Sequence, residues 1–533
     1  MMMTQSIVSP LPLGTSSFSA LRQAGEIYVD KTDLIYDLAK NRGKIFLARP
    51  RRFGKSLLIS TFESLFKHGL KDFSGLMIEK LWNDHSYDVV RLDFSEVKEF
   101  DDADDFKHRF YERLGSKFRE VGFNFQKSSD EFVTQLSAWL SKRPNSSLVI
   151  LIDEYDAPLT QCLGNSVLFN QIRTIMSDLF LTFKSNEGCL RFFFMTGITK
   201  FSNTSIFSAF NNLKDISWKP RYGTLLGYTA EEIRTYFAPY LEKASKSLHL
   251  SDQALMSLLT THYDGYCFEQ NARLKVFAPW SVLSFLDDPE SGFKNYWYQS
   301  GGQPSVLMQY LLDHKLAHPS SYSEEKVVSF SLLEAPHQYS DMQMEALLTQ
   351  AGYLTLKQVI GGDFIRLGYP NQEVATSMAR LYADELLKNQ NIVQSGIPLL
   401  AKILADESID TVIEYFNKAL GAIDYQRYPI GNEAQCRAYL QLLLIGAALI
   451  PRVETHNAFG RSDMEVDVGN RHWVFEFKYA DNNASVSTLL KQAVKQMQTQ
   501  HYGNDLRSST VMRVALVFSK KDRRFVAWQE VTE

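Results

Sequence analysis

Two apolar runs that end in residues suited to phosphate chemistry constrain this chain more than any other feature. In KIFLARPRRFGKSLLIS (Lys44–Ser60) a strand-like segment meets a basic loop, and an amphipathic helix begins at Gly54-Lys55-Ser56. A helix starting there aims free N–H groups and the positive end of its dipole at the loop, which favours an anion. Lysine at that point reaches β- and γ-phosphates, and the serine hydroxyl suits Mg²⁺. The loop departs from the full G-x-x-x-x-G-K-[ST] pattern, because Arg49 stands where the first glycine belongs. Arg49, Arg51 and Arg52 read equally as phosphate or DNA contacts and as electrostatic caps of the loop. Downstream, SLVILIDEYDAP (Ser147–Pro158) is an aliphatic run ending in Asp153-Glu154. An acid at the end of a buried strand suits Mg²⁺ coordination. Glu154, next to it, is placed to polarise an attacking water as general base.

Strands are expected at Lys44–Ala48, Val89–Phe94, Leu148–Asp153 and Arg191–Thr196, with helical stretches between them. That alternation implies a parallel α/β sheet, of the P-loop ATPase type with an extra strand between its two phosphate motifs. From about residue 226 to 420 the pattern is mostly helical, with Ala230–Ser245 and Ser377–Lys388 as examples. The β-like pieces GYLTLK and FIRLGYP interrupt it and suggest, by analogy, a winged-helix module. From 421 to 533 the order is helix (Asn432–Ile450), strands, helix (Ser485–His501), strand (Val511–Ser519). Residues 1–16 read as a flexible leader.

The C-terminal stretch GRSDMEVDVGNRHWVFEFKYA (Gly460–Ala480) carries the second constellation. Side chains alternate along a strand, so Glu476 and Lys478 share a face with Val474, while Phe475 and Phe477 point the other way. Asp463, with twelve residues between it and Glu476, comes from the preceding strand or turn. Carboxylates hold a divalent cation, and a lysine beside them orients water or offsets phosphate charge. Oxygen donors of this kind suit Mg²⁺ or Mn²⁺. A Glu–Lys pair among aromatic residues is also costly as decoration, because buried charges need partners.

The net charge of −4 argues against a strongly basic DNA-coating protein, but not against a local basic groove. Four dispersed cysteines without a CxxC pair speak against structural zinc and fit a reducing compartment. The longest apolar run, Leu442–Ile450, is too short to span a bilayer, and no secretory signal is visible at the start. The cytoplasm is the expected compartment. His85, His262 and His472 read as structural or surface residues rather than ligands. Trp280 and Trp297 read as packing rather than base-stacking groups.

YVDKT (Tyr28–Thr32), RPRRFGKSL (Arg49–Leu57), IDEYDAP (Ile152–Pro158) and TGITKFS (Thr196–Ser202) resemble the AAA-ATPase-like family of bacterial proteins. YDGYCF (Tyr263–Phe268) and NYWYQSG (Asn295–Gly301) are similar to its later motifs. In that family the missing first glycine is shared. The resemblance implies an N-terminal P-loop domain over 17–225, with a nucleotide site built from Arg52, Phe53, Gly54, Lys55, Ser56, Leu57 and Asp153. ATP is the nucleotide implied, with Mg²⁺ on Ser56 and Asp153, and either Thr196 or Lys200 sensing the γ-phosphate. The series Glu433, Asp463, Glu476-x-Lys478, Gln496 resembles the PD-(D/E)XK nuclease superfamily, with Ser462 in place of the proline. Gln498 is the alternative to Gln496, and Tyr502 follows. This implies a restriction-endonuclease-like α/β domain over 421–533 with metal on Asp463 and Glu476.

The chain is therefore expected to be an ATPase joined to a Mg²⁺-dependent nuclease acting on nucleic acid, DNA before RNA, with ATP gating the cut. The catalytic residues would be Glu154, Glu433, Asp463, Glu476, Lys478 and Gln496. The alternative is a nucleotide switch whose nuclease fold does not cleave and instead binds DNA or protein. No membrane is expected as partner, and a homo-oligomer is compatible with the sequence.

Overall fold

The computed structural model describes residues 8–125, 131–200, 213–297, 325–334, 344–386, 399–423, 425–426, 428–447, 449, 451–456, 461–482, 485–500 and 510–532. The chain forms two compact units, residues 1–311 with 325–373, and residues 312–324 with 374–533.

The first unit is organised by a parallel sheet in the order β2-β3-β4-β1-β5. Its strands are β1 (Gly43–Ala48), β2 (Asp88–Asp93), β3 (Leu148–Asp153), β4 (Leu190–Gly197) and the short β5 (Lys214–Asp215). Every residue of β3 and β4 is buried, as expected of a parallel sheet covered on both faces. The order places β4 between the strands that lead to the two phosphate motifs. All four expected strands are present, each within a residue or two of its expected limits. The helix Lys55–His68 leaves the loop after β1 and buries Leu58, Ile59, Phe62, Leu65 and Phe66, the stripe of a helix facing a core.

The rest of this unit is largely helical, with one departure from expectation. Ala230–Ser245 is not one helix but two, Ala230–Tyr236 and Ala238–Leu248. Pro239 causes the break: it lacks an N–H and is tolerated in a first turn but not in a helix interior. Three antiparallel strands, β6 (Lys326–Ser329), β7 (Thr355–Gly361) and β8 (Phe364–Gly368), form a second sheet in the order β6-β8-β7. The two β-like pieces of the middle region are its β7–β8 hairpin. Residues 1–7 of the expected leader lie outside the described residues. Leu11, within that leader, is buried in a core with Ile233, Phe237 and Tyr263, and the Ile27 N–H donates to Pro10 O at 2.9 Å.

The second unit carries a sheet in the order β13-β12-β11-β10-β9. Its strands are β9 (Arg452–His456), β10 (Arg461–Val468), β11 (Arg471–Ala480), β12 (Thr510–Ser519) and β13 (Arg524–Glu530). β11 and β12 are parallel, joined through the crossover helix Val486–Gln500, and the other pairs are antiparallel. The expected helix–strands–helix–strand order is present, with β13 added at the end. On one face of β11, Trp473, Phe475 and Phe477 stack in a row, and Phe475 meets Phe416 of the helix Ile409–Gly421. On the other face Val474 packs against Ala493 and Met497 of the crossover helix. Both faces of β11 are thus covered, which explains why Glu476, on the Val474 face, is fully buried.

Candidate functional site

The N-terminal site begins at the loop between β1 and the helix Lys55–His68. Gly54 caps that helix at φ +89°, a left-handed conformation costly for any residue with a Cβ, and no side chain caps the helix. Its first N–H groups are therefore not taken by a side-chain cap. Lys55 is buried and donates from Nζ to Pro50 O at 2.9 Å. Burial lowers its pKa, while Glu154, Asp153 and Asp156 act to keep it charged. Asp153 ends β3, and its carboxyl feels both Ser56 and Lys55, so the two groups expected to hold a cation are neighbours. Burial raises the Asp153 carboxyl despite Ser56 and Lys55. Burial likewise raises Glu154, which takes a strained φ of +45°, with Lys55 opposing. A carboxylate raised in this way is suited to accept a proton from water.

Lys55, Ser56 and Glu154 open onto a cleft of about 600 Å³, lined also by Arg51, Arg52 and Trp280 among others, with Asp153 buried behind it. That size falls within the range of small-ligand sites. The Arg52 guanidinium lies 4.8 Å above the Trp280 ring. Gly14, Thr15 and Ser16, from the expected leader, also line the cleft. These three residues carried no signal in the sequence, and Trp280, expected to serve packing, stands at the cleft instead, because only the fold brings them to the loop.

Other expected residues are placed differently. Arg49 is 1% exposed and donates to the carbonyls of Ala48, Ser217 and Tyr222, with Phe268 4.4 Å below its guanidinium. Both terminal nitrogens are thus bonded to backbone, while the buried Nε has no partner among the described residues, and Arg49 serves as a strut of the loop. Phe53 is buried against Tyr266 and Phe268. Thr196, fully buried, donates its hydroxyl to Leu47 O at 2.7 Å. The Lys200 ammonium pairs with Asp215 at 2.8 Å and also donates to Glu334 O.

The motifs around 265 and 297 brace the phosphate loop from behind. Trp297 is fully buried, and its indole N–H donates to Arg51 O at 3.2 Å. Its backbone N–H donates to Glu373, whose other oxygen accepts from Ser281. Gly352, at φ +90°, passes so close to Pro50 that a Cβ there would lie 2.8 Å from the proline ring. Residues 201–202 and 298–301 of the quoted motifs lie outside the described residues.

The C-terminal site is assembled by β10, β11 and the helix Glu433–Gly446. Met464 pairs with Phe475 across the hairpin, which sets Asp463 beside Glu476 and Phe477. Asp463 Oδ2 accepts the Phe477 N–H at 2.8 Å. Lys478 Nζ lies 2.8 Å from Glu476 Oε1 and 3.8 Å from Glu433 Oε1. Asn432 caps the helix by accepting from the Gln435 N–H, which fixes Glu433 in its first turn. Four of the expected nuclease residues, Glu433, Asp463, Glu476 and Lys478, thus meet in one place. Gln496 is half-buried beside Ala493 and Met497, Gln498 is exposed, and Tyr502 and Gly460 lie outside the described residues.

The electrostatics are those of a site with too many acids. Burial, then Asp463, pushes the Glu476 carboxyl up to about 7. Glu476 Oε2 is buried with no hydrogen-bond partner. Burial also raises Glu433. Burial works against the Lys478 ammonium, but Glu476 and then Glu433 and Asp463 outweigh it and raise its pKa. Among the described residues no three acid, imidazole or thiol side chains form a ready metal cage. Mg²⁺ commonly takes one or two carboxylates and fills its remaining positions with water. The orphaned oxygen of Glu476 beside Asp463 fits that pattern.

Arg437 was not singled out from the sequence. It stands one helical turn after Glu433, and its Nη1 lies 3.4 Å from Asp463 Oδ1. The i, i+4 spacing from Glu433 was the signal available. His472 is fully buried, bonded through Nδ1 to Asp467 and flanked by Glu465, consistent with a structural role. All four cysteines are free and buried. Among the described residues no helix is long and apolar enough to cross a membrane.

Residues 12–207 match a family described as "Predicted AAA-ATPase", and residues 432–528 match the PD-(D/E)XK nuclease superfamily. The chain is also similar to a protein of Azotobacter chroococcum mcd 1 described as "Uncharacterized protein in vnfD 5'region". The two are 29% identical over 534 residues, spanning 97% of this chain and 98% of the relative.

Proposed function

We propose, on the premise that this chain joins an AAA-ATPase-like segment to a PD-(D/E)XK nuclease segment, that it binds and hydrolyses ATP and cleaves nucleic acid, DNA in the first instance. The reading divides the chain into an ATPase domain over 17–225, a middle region over 226–420 and a nuclease domain over 421–533, working in the cytoplasm. The observation that carries it is the cluster of Asp463, Lys478 and the fully buried Glu476, which holds an unpartnered carboxylate oxygen.

In the first site, Lys55 and the helix N-terminus bind phosphate oxygens, Ser56 and Asp153 hold Mg²⁺, and Glu154 takes a proton from the attacking water. In the second, Asp463 and Glu476 hold Mg²⁺ or Mn²⁺, Lys478 orients the attacking water, and Glu433 keeps the lysine in place. The cation supplies charge neutralisation at the phosphorus and a more acidic water. Nucleotide state at Lys55 gates the cut in this reading.

The test is cleavage of labelled double- and single-stranded DNA and RNA with Mg²⁺ or Mn²⁺, with and without ATP. Asp463→Ala and Lys478→Ala should each abolish cutting, and Lys55→Ala should remove its ATP dependence. No cutting by a wild-type protein that binds ATP would favour a nucleotide switch with a non-cleaving nuclease fold. Cutting indifferent to ATP and to Lys55→Ala would end the gating idea.

A further inference from the structure

We propose that Arg437 is a phosphate-contacting residue of the C-terminal site, parked on Asp463 when no cation is there and turned to a phosphodiester oxygen once one is. The inference rests on the nuclease reading and adds a residue that the acid-and-lysine pattern does not contain.

The geometry carries it. Glu433 and Arg437 are one turn apart, so both project from the same face of their helix toward β10 and β11. Glu433 reaches Lys478 and Arg437 reaches Asp463. The two oxygens of Asp463 have different partners. Oδ2 accepts the Phe477 N–H at 2.8 Å, a tight bond to the strand that fixes the carboxylate. Oδ1 meets Arg437 at 3.4 Å, the long end of a hydrogen bond and therefore easily surrendered. The guanidinium is partly open, with its side chain 20% exposed.

A cation at Asp463 and Glu476 would compete with Arg437 for Oδ1. A guanidinium so displaced stays within the site, and its planar fork of donors matches a phosphate better than a lysine does. The residue would then have two measurable effects of opposite sign. It opposes cation binding in the free protein, and it favours the anionic substrate in the loaded one. A residue that merely held Asp463 in place would do the reverse in the first case, since its loss would spoil a metal ligand.

The experiment uses the full chain, with Arg437→Gln and Arg437→Lys beside wild type. Mn²⁺ is titrated by thermal shift, and binding of a labelled duplex oligonucleotide is followed by anisotropy in Ca²⁺ at several salt concentrations. For Arg437→Gln the Mn²⁺ midpoint should fall severalfold. Oligonucleotide affinity should drop by roughly tenfold, the worth of one charge-assisted hydrogen bond. The slope of log affinity against log salt should become shallower by about 0.9, one phosphate contact. Arg437→Lys keeps the charge, so its Mn²⁺ midpoint should match wild type while affinity still falls. It also serves as the test if the glutamine variant does not fold.

A raised Mn²⁺ midpoint in Arg437→Gln, or unchanged oligonucleotide affinity in both variants, would overturn the assignment. A wild type that binds neither Mn²⁺ nor oligonucleotide would instead overturn the nuclease reading on which it rests.

Discussion

Replacing Glu476 by glutamine should make the metal-free protein more stable at alkaline pH, although it removes a residue assigned to catalysis. The carboxyl titrates near 4.5 in an unfolded chain and near 7 in the fold, raised first by burial and then by Asp463. Below pH 4.5 it is neutral in both states. Between those values the unfolded state gives up its proton first, so stability falls as pH rises. Above about 7 the whole penalty stands. At roughly 1.4 kcal/mol per pH unit, that interval corresponds to about 3 kcal/mol. Glutamine has no such penalty. Its amide nitrogen would sit where Glu476 Oε2 finds no partner, at a pH-independent cost of about 1–3 kcal/mol. That cost cancels when the variant is compared with wild type at two pH values. A unit of 150–250 residues shifts its melting temperature by about 2–4 °C per kcal/mol. The Tm advantage of Glu476→Gln should therefore be about 6–12 °C larger at pH 8 than at pH 4.5. Scanning calorimetry of both proteins in EDTA would measure it. Saturating Mn²⁺ should erase the difference by stabilising wild type alone. A Tm difference independent of pH, or one that shrinks toward pH 8, would refute the argument from burial.

Three further outcomes are expected. Gly352→Ala would force a Cβ against Pro50 in a left-handed backbone; it should destabilise the first unit by about 1–3 kcal/mol and weaken nucleotide binding, read by thermal shift with and without ATP. Trp297→Phe keeps a ring against Tyr353 but removes the indole bond to Arg51 O. Titration with a fluorescent nucleotide should show a roughly tenfold loss of affinity, and unchanged affinity would separate Trp297 from the loop. His472 loses by burial but gains more from Glu465 and Asp467, so its folded pKa lies above the usual 6.5. Its contribution is complete below pH 6.5 and fades as pH rises through the folded value. His472→Gln should remove that fade from the Tm profile, and Glu476→Gln should leave it in place.

The expected strands and the two phosphate-chemistry clusters were legible because each rests on local pattern. β3 reads as a strand from five consecutive aliphatic residues, and the helix at Lys55 reads from its apolar spacing. Glu476 and Lys478 share a face because strand geometry alternates. Helix ends were less legible. The break before Pro239 leaves no mark in the apolar spacing, which continues in phase from Ile233 through Phe237 to Leu241 and Ala244.

The chain by itself therefore determined which segments are strands and helices, and which carboxylates and lysines stand at their ends, since these depend on neighbours in sequence. Only the tertiary structure decided what those groups touch. Arg49 became a strut because Ser217, Tyr222 and Phe268 surround it, and Trp280 reached the cleft from more than two hundred residues downstream of the loop. Arg437 met Asp463, and Glu476 was left with an oxygen facing no partner. Contacts between residues far apart in sequence arise from how whole elements pack, and burial follows from that packing. The charge state and partners of a buried group are therefore not written in its own stretch of chain.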